Sequence, residues 1–203
     1  MKPKFIMLAI MITAAFTVAS CGNKTNVANA IDDENVFEYI TTVEVIAITE
    51  EITVVGLSYN KCTETGSLPL GSFWDLYGHF DKLDGIDNKN IPDANYAICV
   101  HGDYWIGKGV TDADGQDPIF AATAIPTGIY MKTTWNAETF DDLVGKNMGG
   151  DQSVKDAFIA EHGLYIPGYD EAGYLYVEVY PQDTIYDTET SYPECYTLNR
   201  IRP

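Results

Sequence analysis

Gly173-Tyr-Leu-Tyr-Val-Glu-Val-Tyr-Pro181 alternates with a period of two. Read as a strand, it sets Leu175, Val177 and Val179 on one face and Tyr174, Tyr176, Glu178 and Tyr180 on the other. The aliphatic face is a core face. The other gathers three aromatic rings around one carboxylate, a combination that favours an organic cation through both the ring faces and the charge. The alternative is an exposed Tyr-rich strand with a solvated glutamate.

Working outward, Cys195–Ile201 is expected to close a pair with Leu175–Val179. Upstream, Phe120–Ile125 and Ile129–Trp135 flank Pro126-Thr-Gly128, which reads as a hairpin. A helical part follows, with Phe140, Leu143 and Val144 on one turn, then Val154, Ala157 and Phe158, stopped by Gly163. The first half has the same order. Val43–Ile48 and Ile52–Leu57 read as a hairpin around Thr49-Glu-Glu51. Phe73, Leu76, Tyr77, Phe80 and Leu83 mark one face of a helix. Tyr96–Val100 and Tyr104–Val110 form a second hairpin turning at His101-Gly-Asp103. Ala47–Asn60 and Thr123–Asn136 match in length and pattern. The expected fold is therefore α+β, with duplicated hairpin–helix–hairpin units in pseudo-twofold symmetry around a central ligand cleft.

Before this domain, at residues 36–203, the chain reads differently. Met1-Lys-Pro-Lys4 and the apolar run Phe5–Val18 form a signal peptide, residues 1–20. Its end, Val18-Ala-Ser-Cys21, resembles the bacterial lipobox, which makes Cys21 the lipidated residue. Residues 21–35 are polar and rich in Asn, a tether. The expected location is the bacterial cell envelope. Gly22 after the lipid cysteine, where aspartate would signal inner-membrane retention, favours the outer membrane, with the membrane contacted through the anchor alone.

The chain carries 12 basic and 30 acidic residues, a formal charge of -18 that becomes -20 once Lys2 and Lys4 are removed. Such a chain is repelled by nucleic-acid phosphates and by anionic headgroups. Three mature cysteines leave at least one unpaired, and Cys62 with Cys195 is the pair whose flanking loops suit a bridge. Asp112-Ala-Asp114-Gly-Gln-Asp117 fails the calcium-loop spacing and reads as a connector. His79, His101 and His162 have no ligand partner at metal spacing, so neither a metal nor a cofactor is expected. His101 and Asp103 share a turn and read as a solvated pair, while Trp105 and Trp135 are candidates to rim a cleft.

Four short strings in order carry a family resemblance: Tyr104-Trp-Ile-Gly-Lys-Gly-Val-Thr111, Ala124-Ile-Pro-Thr-Gly-Ile-Tyr-Met131, His162-Gly-Leu-Tyr-Ile-Pro-Gly168 and Tyr176-Val-Glu-Val-Tyr180. Together they resemble the gyrase-inhibitor-like (GyrI-like) domains, also called bacterial transcription-activator effector-binding domains. The resemblance implies the same duplicated α+β fold and a pocket for a bulky, hydrophobic or cationic organic molecule. It places Glu178 at the pocket floor, with Tyr176 and Tyr180 beside it and Tyr130, at the family's hairpin tyrosine, as a further contact. Some relatives resemble hydrolases of reactive ring compounds that use such a glutamate. Two departures separate this chain from the regulators: no helix-turn-helix region precedes the domain, and the lipobox sends it out of the cytoplasm.

Three functions follow as expectations. The first is a non-catalytic binder of a small organic molecule at Glu178, Tyr176, Tyr180, Tyr174 and Tyr130. The second is a hydrolase using Glu178 as acid or base. The third is a surface protein-interaction module.

Overall fold

The strand at residues 175–181 forms as its alternation predicts, and it lies in the middle of the sheet. The computed structural model describes residues 37–63, 83–90, 92–145, 148–182 and 193–202. The signal peptide, Cys21, the tether and all but Leu83 of the expected first helix lie outside them.

The strands are β1 (Thr41–Ile48), β2 (Ile52–Ser58), β3 (Ala94–Val100), β4 (Asp103–Gly109), β5 (Ala121–Ile125), β6 (Gly128–Asn136), β7 (Leu175–Pro181) and β8 (Glu194–Arg200). The helices are α1 (Tyr59–Thr63), α2 (Phe140–Val144) and α3 (Gln152–His162). The architecture is one antiparallel sheet with short helices, in the order β1-β6-β8-β7-β3-β4-β2-β5.

Two of the expected pairings form, β3 with β4 and β7 with β8. The other two do not. β1 pairs with β6, from Thr41↔Trp135 to Ile48↔Gly128, and β2 pairs with β5, from Ile52↔Ile125 to Gly56↔Ala121. Thr49–Glu51 and Pro126–Thr127 are thus bends in two long strands that run antiparallel to each other. Three residues at one bend face two at the other, so the register slips by one, as at a β-bulge. A local hairpin would have kept Ile46, Ile48, Ile52 and Val54 on one face as well, so side-chain pattern does not separate the alternatives. The long-range ribbon meets the rest of the sheet at both of its ends: β6 pairs with β8, and β2 pairs with β4.

The strand order has a further property. Exchanging β1–β4 with β5–β8 reverses it onto itself, and the β3–β7 pair is its own image. β1 and β2 stand far apart in that order yet are joined by three residues, a span of at most about 14 Å, so the sheet must curl.

Each face of the sheet holds a core. One contains Val54, Ile98, Ile125, Tyr130, Leu175, Val177, Val179 and Leu198. Ile98 and Val177 sit opposite each other at 0% exposure, and such full burial contributes about 1.5–3 kcal/mol per side chain. The other face contains Val55, Leu57, Ala97, Ile106, Trp135, Leu143 and Tyr180, with Leu83 and Ile86 packed against them.

α2 is held on this second face. Thr139 caps it by accepting from the Asp142 amide at 3.1 Å, and Trp135 Nε1 donates to the Leu143 carbonyl at 3.1 Å. α3 starts at Asp151, whose side chain accepts from the Ser153 amide at 2.8 Å. It stops where expected, at Gly163, which takes the left-handed conformation at φ 59°. Among the described residues, no helix is long and apolar enough to cross a membrane.

The suggested Cys62–Cys195 bridge is absent; Cys62, Cys99 and Cys195 are free thiols. Cys195 is fully buried, and burial followed by the nearby Glu178 charge pushes its thiol well up, so it stays protonated.

Candidate functional site

β7 carries Glu178 to the centre of the sheet, between Ala97 of β3 and Thr197 of β8. On the same face Tyr176 opposes Cys99 and Asn199, and Tyr180 opposes Asn95. Glu178 is 7% exposed. Its carboxylate accepts a hydrogen bond from the Tyr180 hydroxyl, 2.8 Å from Oε2, and a second from Tyr176. Sδ of Met148 lies 4.0 Å from the same Tyr180 hydroxyl.

Among the described residues no cation pairs with Glu178. Lys108, a buried lysine on this face, is engaged instead by Asp93 at 2.9 Å. Burial pushes the Glu178 carboxyl above its ordinary value, and the two tyrosine hydrogen bonds pull it part of the way back. Burial and then the carboxylate charge push the phenols of Tyr176 and Tyr180 well up, so both stay protonated donors. Tyr174 precedes the strand, half-buried, edge-on to Tyr169 with ring centroids 5.4 Å apart. It shares a hydrogen bond with Cys99. Exposure falls from Tyr174 and Tyr176, both half-buried, to Glu178 and Tyr180, both buried.

Tyr130 does not join this group. Register through Thr133↔Thr197 and Thr197↔Glu178 puts the odd-numbered residues of β6 on the Glu178 face. Tyr130 therefore belongs to the opposite core, where its hydroxyl donates to the Pro126 carbonyl at 2.6 Å. Trp105 also packs with that core.

A groove of about 470 Å³ opens on the Glu178 face at the β1–β6 end of the sheet, lined by Tyr39, Ile40, Thr41, Trp135, Gly150 and Val154 among others. Glu178 is not part of its wall. Trp135 backs this groove from within the core, at 1% exposure. The segment Met148–Asp151 spans the interval, with Met148 against Tyr180 and Gly150 and Asp151 in the groove wall.

The weaker candidates resolve structurally. Asp103 accepts from the Ser58 hydroxyl and from the Asn60 and Tyr104 amides, and His101 contacts the Tyr169 carbonyl. They form no acid–base dyad. Asp112 accepts from the Asp114 amide as part of a turn. No cluster of metal-ligating side chains occurs among the described residues.

Sequence reasoning missed three polar residues on the Glu178 face. Asn95, Thr133 and Lys108 are all essentially inaccessible. The signal was available at Asn95, since asparagine is depleted in strands and Asn95 interrupts the run Ala94–Val100.

No protein-family model and no curated protein matches this chain. Solved structures do resemble it at low identity. A bacterial transcription regulation protein of Staphylococcus aureus MU50 is 12% identical over 81% of this chain and 99% of its own, with a TM-score of 0.47. An integron cassette protein from the mobile metagenome of Vibrio cholerae is 11% identical over 82% of this chain and 100% of its own, at 0.43. SAV2435 bound to tetraphenylphosphonium is 14% identical over 82% of this chain and 94% of its own, at 0.48.

Proposed function

We propose that this protein is a membrane-anchored binder of hydrophobic, cationic small organic molecules, built on a GyrI-like domain behind a lipidated Cys21. The observation that carries the reading is Glu178. It is a buried carboxylate whose described partners are two neutral tyrosine hydroxyls and no cation. Burying an ionised carboxylate without a countercharge costs several kcal/mol (about 3–5 kcal/mol when a partner is missing). An organic cation would supply that charge, and its flat or apolar body would lie against Tyr174, Tyr176 and Tyr180.

The self-reversing strand order supports the rest of the reading. In it the chain is a duplication about an axis between β3 and β7, and the ligand cleft lies over those strands. The lipid on Cys21 would hold the domain at the outer membrane.

The experiment is intrinsic Tyr and Trp fluorescence of the folded domain titrated with a dye-like aromatic cation. Quenching is expected, and Glu178→Gln should weaken the cation about tenfold to a hundredfold. Equal affinity in the variant would remove Glu178 from the site. The raised carboxyl would also suit a general acid; turnover of an electrophilic substrate, lost in the same variant, would favour a hydrolase instead.

A further inference from the structure

Asn95 is buried to 0% exposure, and among the described residues neither its Nδ2 nor its Oδ1 has a hydrogen-bond partner. A buried amide left this way is costly, because both ends lose their water and gain nothing. Its position ties it to the site. Asn95 opposes Tyr180, and Ala97 opposes Glu178, so Asn95 is the diagonal neighbour of the acid on the same face. Such neighbours are about 7–8 Å apart. Across the acid, Thr133 repeats the feature: fully buried, its Oγ1 also unpartnered, in register with Thr197 and through it with Glu178.

Resting on the proposed cation site, we infer that Asn95 is a second anchor in it, reading a hydrogen-bonding edge on the ligand. An unpartnered carboxamide offers one donor side and one acceptor side next to each other. The group that satisfies both at once is another amide-like edge: a carboxamide, a lactam or a heterocycle with adjacent N–H and C=O. The ligand class is therefore narrower than hydrophobic cations. It is a cation whose apolar body carries an amide-like group on its far side, with the charge at Glu178 and the amide deeper, beside Tyr180. Thr133 adds a single hydroxyl on the other flank.

The test compares two probes that differ only in this group, 4-(aminomethyl)benzamide and 4-methylbenzylamine, by calorimetry on the folded domain. Wild type should bind the benzamide about tenfold tighter. Asn95→Leu, which is close in shape, should bind both probes equally, at the level of 4-methylbenzylamine, and should melt at or above the wild-type temperature. Glu178→Gln should weaken both probes together. Equal affinity of the two probes for wild type, still lost in Glu178→Gln, means that Asn95 meets an internal water only; it overturns this inference and leaves the cation site standing. A preference that survives Asn95→Leu, or a lower melting temperature in that variant, also overturns it. If neither probe binds, the cation site falls and this inference falls with it.

Discussion

Tyr180 turns its hydroxyl back along its own strand and donates to Glu178, two residues away, at 2.8 Å. The bond favours the ionised form of a carboxyl that burial pushes above its ordinary value. Tyr180→Phe keeps the ring and removes the donor. It should raise the Glu178 carboxyl further, shift the pH midpoint of cation affinity upward, and cost about 1–2 kcal/mol of stability. Calorimetric affinities across a pH series, with a urea melt, check it.

Stability should itself depend on pH through Glu178. Its folded carboxyl sits above the ordinary 4.5 because of burial, so the native state holds the proton more tightly than the unfolded chain. Stability is then greatest below the ordinary value and falls as pH rises through the raised one. Glu178→Gln should abolish that component and leave the protein more stable than wild type at neutral pH. Denaturant melts of both proteins across the acid range measure it, and a wild type that gains stability over that window relative to the variant contradicts it.

The β2–β4 contact tests the fold. Gly56 and Gly107 are directly opposed, and a Cβ on Gly56 would lie 2.0 Å from the Ile106 carbonyl oxygen. Backbone cannot yield there as a side chain could. Gly56→Ala should cost about 3 kcal/mol, read from the denaturant midpoint.

The thiols separate the observed structure from the bridge that the loops beside Cys62 and Cys195 suggested. Denatured without reductant, Cys62, Cys99 and Cys195 should each take one alkyl group by mass spectrometry. In the native state Cys195 should react slowest, being fully buried and pushed well up. Protection of Cys62 and Cys195 together in the denatured protein would indicate a bridge.

How far the sequence carried is visible at β7 and at the two bends. Period two sorted Val177 from Glu178 correctly, because alternation is a local property of a strand. It could not say that the Glu178 face is buried as well, since that depends on what packs over it. The bends at Thr49–Glu51 and Pro126–Thr127 carry turn residues that serve a hairpin and a bent strand equally, and the partner of β1 lies in β6, far along the chain. Tyr130 was misplaced for the same reason: its face relative to Glu178 is set by register across β6, β8 and β7, which no local pattern records. Asn95 was legible as an oddity in a strand, but its lack of a partner appears only once the strands are paired.

The central claim is that Glu178 becomes the countercharge of a bound cation, and proton release tests it most directly. An aromatic cation is titrated into the folded domain at about pH 5, near the ordinary carboxyl range, in two buffers of different ionisation enthalpy. The heats should differ between buffers for wild type, because Glu178 gives up bound proton as the cation enters, and agree for Glu178→Gln, which should also bind more weakly. Equal heats in both buffers for wild type, with affinity unchanged in the variant, would contradict the account.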